Sequence, residues 1–245
     1  MRTIFNKRAN LYIKEWPDGW NIEQRDWGIR IFFAKSRYNL CYALKGRAPE
    51  DVLTDYNKFI QGQQLAPEKV AWFDPHPEDQ TIKKITSPIR KCETFEGVFG
   101  FREGSSPEEE FTNVMWTDEN ITLGIHTADC IPLVFISEGK VCICHLYWWH
   151  VFDGFLQKII DNCIANGFVN MQAVIGPFYR KAMKRNIFDI GEKTFFISDN
   201  LYSILGKNHI LFKDIKVDTE DNPDLWSYVG DQGSNGNQAT IVTML

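Results

Sequence analysis

The chain has 245 residues, 44% hydrophobic and 24% charged, with a formal net charge of −5. That composition excludes a wholly disordered polymer and supplies enough apolar surface for a core that needs no covalent staples. A pI near 5.6 argues against a surface built for nucleic acid or anionic lipid, which would need clustered Lys and Arg, and favours a small-molecule partner.

The opening segment from Met1 to Arg8 lacks the apolar run of a secretory leader, and no stretch is apolar enough to span a bilayer, so the expected setting is cytoplasmic. The six cysteines are scattered, with no Cys-x-x-Cys pair, which suits buried thiols better than a disulfide framework. A monomer is the simplest expectation.

In chain order, residues 10–34 alternate short apolar runs with turn signals such as Trp16-Pro17-Asp18-Gly19 and read as β-rich. From Pro49 the pattern becomes helical: Val52, Leu53, Tyr56, Phe59 and Ile60 share a face and Gly62 is a stop. Val70 to Phe73 reads as a strand running into Asp74-Pro75-His76-Pro77, where two prolines hold His76 in an extended loop. Residues 85–112 read as an elaborated surface segment, its Glu108-Glu109-Glu110 run a solvated face.

Ile121 to Ile125, Ile131 to Ile136 and Val141 to Leu146 are strand candidates, expected to be adjacent in the core. A helix follows, with Phe152, Phe155, Leu156, Ile159, Ile160, Cys163 and Ile164 on one face and Gly167 as its left-handed cap. Val174-Ile175 ends a strand at Gly176-Pro177, residues 195–205 are helical, and Ala239 to Leu245 is a closing strand. With no long linker or repeat, the expectation is one α/β (α+β) domain over residues 1–245, with mixed β-sheets flanked by helices.

Cys130 falls at a junction between two apolar runs, where a side chain is presented at a sheet end. Alternation places His145 on the face of Val141 and Ile143, opposite Cys142 and Cys144, and close to Cys130 if the two strands pair. With His76 at another strand end, a thiolate and two imidazoles would make a three-ligand zinc site with one position open for water. A buried thiol and a satisfied core histidine explain the same residues without a metal. Asp129, beside Cys130, could orient a ligand or move a proton, or cap a turn. His126 and His150 flank the ligand candidates and admit either reading.

The string Thr127-Ala128-Asp129-Cys130-Ile131-Pro132 resembles the T-A-D-C-x-P motif of the laccase-domain family, also called multicopper polyphenol oxidoreductase or YfiH-like proteins. Further matches follow in family order: Ser36 to Leu40, Asp51-Val52 with Asn57, Asp74-Pro75-His76-Pro77, Asn113 to Thr117, and Ile175-Gly176-Pro177. Phe188-Asp189-Ile190-Gly191, Trp226-Ser227-Tyr228 and Gly236 to Thr240 complete the series. The resemblance implies a fold similar to that of a deamidating toxin, a zinc site at His76, Cys130 and His145, with copper less expected, and a purine nucleoside substrate. The implied reactions are phosphorolysis of adenosine, inosine and guanosine or deamination of adenosine.

The chain departs from the family pattern at arginine positions. Trp149 stands for the Arg of H-A-G-W-R-G, Val229-Gly230 for the paired Arg after F-S-Y, and Asn237 for the Arg of G-R-Q-A-T. Neither Trp nor Asn offers the charged fork that grips phosphate. Phosphorolysis would have to draw on Arg37, Arg180, Lys181 or Arg185. Two further readings stay open: Cys130 as a metal-free nucleophile with His145 as its base, suited to amide hydrolysis of cell-wall precursors, and a binding protein that lost turnover with the arginines. Trp116, Tyr147, Trp148 and Trp149 could stack on a purine or fill core and rim positions.

Overall fold

A computed structural model describes residues 3–6, 10–35, 49–66, 69–72, 75–88, 112–181, 183–187, 191–227 and 237–245. It is a mixed α+β fold with two large sheets and, among the described residues, three α-helices. None of these helices is long and apolar enough to cross a membrane.

The first sheet runs in the order β1 (Thr3–Asn6), β2 (Leu11–Trp16), β3 (Gly19–Gln24), β4 (Ile29–Ala34), β15 (Gln238–Met244), β8 (Thr122–Thr127) and β5 (Val70–Trp72). The second runs β14 (Leu211–Asp214), β11 (Gln172–Ile175), β9 (Ile131–Ser137), β10 (Lys140–Leu146), β7 (Val114–Thr117) and β6 (Ile82–Lys84). β12 (Met183–Ile187) and β13 (Gly191–Phe195) form a separate antiparallel pair.

Period-two alternation builds the layers. In β4, Ile31 and Phe33 enter a core shared with Val134, Ile136, Val141 and Ile143 of the second sheet, so this core lies between the sheets. Phe32 and Ala34 face the other way and pack with Tyr56, Phe59 and Ile60 of helix α1 (Pro49–Gly62). On the far side of the second sheet, Leu133, Phe135, Cys142 and Cys144 pack against α2 (Phe155–Ala165) and α3 (Ile197–Lys207). The order is helix, sheet, sheet, helices, and each fully buried Ile, Leu or Phe contributes about 1.5–3 kcal/mol to holding the layers together.

Several expectations need correction. β9 and β10 do pair antiparallel, with His145 opposite Pro132 and Leu146 opposite Ile131. β8 is not their neighbour: it lies in the first sheet between β15 and β5, so the chain crosses from one sheet to the other at residues 128–130. Apolar runs of equal length cannot disclose that change of sheet. Helix α2 starts at Phe155, where the Asp153 carboxylate accepts the Phe155 N–H at 2.9 Å, and leaves Phe152 outside and 38% exposed. Ile164 falls beyond the edge of the buried stripe and is 56% exposed. Phe195 closes β13 instead of opening α3. Residues 89–111, the bulk of the presumed surface segment, lie outside the described residues; Ile85 and Thr112 near its ends are buried.

One close approach fixes the site's floor. At Gly124 in β8, a Cβ would sit 2.1 Å from the Trp72 ring, so the indole occupies the space a side chain would take. Gly124→Ala should displace Trp72 and destabilise the protein by about 1–3 kcal/mol. Denaturant titration checks this, and an unchanged midpoint would contradict the packing described.

Candidate functional site

The crossover between β8 and β9 carries Ala128, Asp129 and Cys130. It is fixed at Ala128 and Asp129 by groups from distant parts of the chain. The buried Gln238 side chain donates to the Ala128 carbonyl at 2.8 Å and accepts the Trp226 N–H at 3.1 Å. Thr219 donates its hydroxyl to the Asp129 carboxylate at 2.6 Å, and the Tyr179 N–H donates to the Asp129 carbonyl at 3.1 Å. Cys130 is half-buried, a free thiol at the end of the second sheet. Burial first, and the neighbouring Asp129 charge second, push the thiol up to about 12.

His145, near the end of β10, points into the space between the sheets and is 5% exposed. Its Nδ1 lies 2.8 Å from the carbonyl oxygen of His126 on the facing sheet. A carbonyl can only accept, so Nδ1 carries the proton and Nε2 the lone pair. That Nε2 is buried and without a hydrogen-bond partner among the described residues. Burial, reinforced by the neighbouring His126, depresses the imidazole to about 3, so the ring is neutral. His126 accepts the Trp72 indole N–H at 3.3 Å, and burial lowers it to about 4.

His76 sits in the loop between β5 and β6, and Asn113 ties that loop to β10. Asn113 is fully buried. Its amide donates to the carbonyls of His76 and Asp79, each at 2.6 Å, and its Oδ1 accepts the His76 N–H at 3.2 Å. Its own N–H donates to the Asp79 carboxylate at 3.2 Å, while its carbonyl accepts the His145 N–H at 2.8 Å. One side chain and its backbone thus join two of the three ligand candidates.

The three candidates converge unequally. Pairing of β9 with β10 brings the Cys130 segment beside His145. The His76 ring, by contrast, accepts the Glu78 N–H on Nδ1 at 3.3 Å. Among the described residues, no three His, Cys, Asp or Glu side chains are grouped closely enough to hold a metal ion.

The cations expected near the site are otherwise engaged. Arg180 forks onto Asp214 with bonds of 2.9 and 2.5 Å and donates Nε to the Val217 carbonyl at 2.9 Å; Tyr202 donates its hydroxyl to the same carboxylate. Lys181 pairs with Glu220 at 3.1 Å and Asp221 at 2.9 Å. Arg37 and the side chain of Arg185 lie outside the described residues, as do Val229 and Gly230. Tyr147 packs on His145 with ring centroids 4.9 Å apart, and Trp149 stacks on Tyr147 at 4.7 Å.

Sequence reasoning nominated the ligand candidates and Asp129 but missed Asn113, Gln238, Thr219 and the His126 carbonyl. Asn113 opened a quoted motif, yet nothing in a linear string marks an amide that will be wrapped by another loop. Asn113→Ala should destabilise the protein by about 1–3 kcal/mol and speed hydrogen exchange at the His76 amide. Retention of both the stability and the slow exchange would show that the amide does not hold the loop.

Residues 34–195, well over half of the chain, match the family model described as multi-copper polyphenol oxidoreductase laccase. The fold is similar to the crystal structure of the Bacillus licheniformis hypothetical protein YfiH, with TM-score 0.79, 17% identity, and coverage of 95% of this chain and 99% of that one. It is also similar to YlmD from Geobacillus stearothermophilus, with TM-score 0.72, 14% identity, and coverage of 95% and 98%. A protein of Rickettsia prowazekii named purine nucleoside phosphorylase is 28% identical over 134 residues, 43% of this chain and 52% of that protein. One of the same name from Aquifex aeolicus is 23% identical over 125 residues, 46% of this chain and 60% of that protein. The chain thus spans about half the length of the curated relatives it matches.

Proposed function

The chain belongs to the multi-copper polyphenol oxidoreductase laccase family, and on that premise we propose that it is a zinc-dependent purine nucleoside enzyme acting by hydrolytic deamination of adenosine. The observation that carries this reading is the His145 ring. A buried nitrogen lone pair with no partner among the described residues, on an imidazole whose other nitrogen is held by a carbonyl, is the arrangement of a metal-ligating histidine. The donor set fits zinc: a thiol and two imidazoles, borderline and soft.

Cys130 and His145 would hold the metal with His76 as the third ligand. As they stand the three are not grouped closely enough to hold an ion, so the His76 loop would have to shift toward the other two. Zinc, when bound, supplies Lewis acidity and makes water nucleophilic near neutral pH. The chain's own groups do the rest. The His126 carbonyl fixes the His145 tautomer, and Asn113 keeps the His76 loop beside β10. Asp129, oriented by Thr219, would be the group that moves a proton. Tyr147, packed between His145 and Trp149, steadies the His145 ring.

Two observations favour hydrolysis with a metal over its competitors. Arg180 and Lys181 are bound to carboxylates, which leaves no built anion cradle among the described cations near the site. The metal-free nucleophile reading needs a thiolate beside an imidazolium, whereas burial holds the Cys130 thiol up and the His145 ring down, toward two neutral groups.

Protein purified without a metal-affinity tag should carry near-stoichiometric zinc by elemental analysis, and Cys130→Ala and His145→Ala should lose it. The wild type should convert adenosine and water to inosine and ammonia without phosphate, and Asp129→Asn should slow this about 10- to 100-fold. Formation of hypoxanthine from inosine only with phosphate would overturn the hydrolytic assignment. Zinc without turnover would mark a binding protein, and metal content equal in all three proteins would remove the site.

A further inference from the structure

After β10 the chain turns through Trp148–Val151 in a short 3-10 segment before α2. Three aromatic rings meet there in a corner. Trp148 stands at 86° to Trp149 with centroids 5.5 Å apart, and at 67° to Phe152 with centroids 6.2 Å apart. Phe195 backs the corner, in edge contact with Phe152 at 4.8 Å. Trp148, Trp149, Phe152 and Asp153 line an open recess of about 660 Å³, which is within the size of small-ligand sites.

We propose that the corner of Trp148, Trp149 and Phe152 beside Asp153 is a binding site for the quaternary ammonium group of a small soluble ligand. Ring shape decides against a flat aromatic ligand. A purine needs one broad free face or two parallel ones, whereas near-perpendicular walls enclose a rounded group. Charge decides against a neutral alkyl group: an aromatic face attracts a cation, and the Asp153 carboxylate adds a negative charge among the lining residues.

The carboxylate is held in place for the purpose. One Asp153 oxygen accepts the Phe155 N–H at 2.9 Å and the other accepts the Gln80 amide at 3.1 Å. Neither bond neutralises it, and none of the ion pairs among the described residues uses it. The Lys158 ammonium, the neighbouring cation on α2, donates to the Gln80 carbonyl at 3.0 Å. A quaternary ammonium suits such a site better than a primary one, because it has no N–H to leave unpaired against the rings.

The recess is separate from the proposed metal site. The Tyr147 ring lies between His145 and Trp149, the wall of the corner on that side, and neither His145 nor Cys130 lines the recess. Its occupancy does not depend on the metal or on the reaction proposed above.

Choline, its uncharged carbon isostere and adenosine should be titrated into the full chain, with the Trp148 and Trp149 indole N–H signals followed by NMR. Choline should shift both indoles and bind roughly tenfold more tightly than the isostere. Asp153→Asn, which keeps a helix cap, should weaken choline several-fold and leave the isostere unaffected, and Phe152→Leu, a change at an exposed ring, should weaken choline several-fold and the isostere less. Circular dichroism confirms that both variants fold. Equal binding of choline and its isostere would reduce the corner to an apolar patch. Adenosine shifting the same indoles more strongly would make it a base platform, and choline affinity unchanged in both variants would remove the site.

Discussion

The hydrogen bond from the His145 ring to the His126 carbonyl spans the two sheets at the point where the chain passes between them. Its partners lie on strands of different sheets, so neither sheet alone could form it. By occupying Nδ1 it leaves the lone pair on the other nitrogen, which is buried and without a hydrogen-bond partner among the described residues. The rest of the site is arranged around that nitrogen. The crossover loop is fixed from three sides by Gln238, Thr219 and the Tyr179 N–H, and the His76 loop is wound on Asn113. The fold supplies rigid backbone, and the site is made from what protrudes where two sheets abut.

The electrostatics follow from the same burial. The thiol and the imidazole each favour the neutral form, because charging either one costs desolvation, and the Asp129 charge adds to that cost for the thiol. A cation changes that balance for both at once, since it favours the thiolate and takes up the imidazole lone pair. Where the family pattern has arginines, the chain has Trp149, Val229, Gly230 and Asn237. Arg180 is committed to Asp214, and removing it would leave that carboxylate buried and unpaired. Arg180 and Lys181 are therefore both engaged by carboxylates.

Much of this was legible in the sequence, for identifiable reasons. Tyr56, Phe59 and Ile60 repeat at helical spacing because one face of α1 meets the first sheet, and the pattern ends at Gly62 where the helix does. The alternation of Val141, Ile143 and His145 against Cys142 and Cys144 correctly gave their two faces, because β10 is buried on both sides. The Thr-Ala-Asp-Cys string marked the crossover. What stayed hidden was pairing at a distance. Nothing local shows that Thr122–Thr127 joins the C-terminal strand instead of its neighbour Ile131–Ser137. An asparagine at a strand start gives no sign that its amide will serve two carbonyls of another loop. The aromatic run from Tyr147 to Trp149 reads equally as core, rim or platform until ring angles are seen.

The site depends on the protonation pattern of one ring, and imidazole nitrogen NMR reads it directly. His145 in metal-free protein near neutral pH should carry a proton on Nδ1 and an unprotonated Nε2 whose resonance moves when zinc is added. A proton on Nε2, or an Nε2 resonance indifferent to zinc, would contradict it.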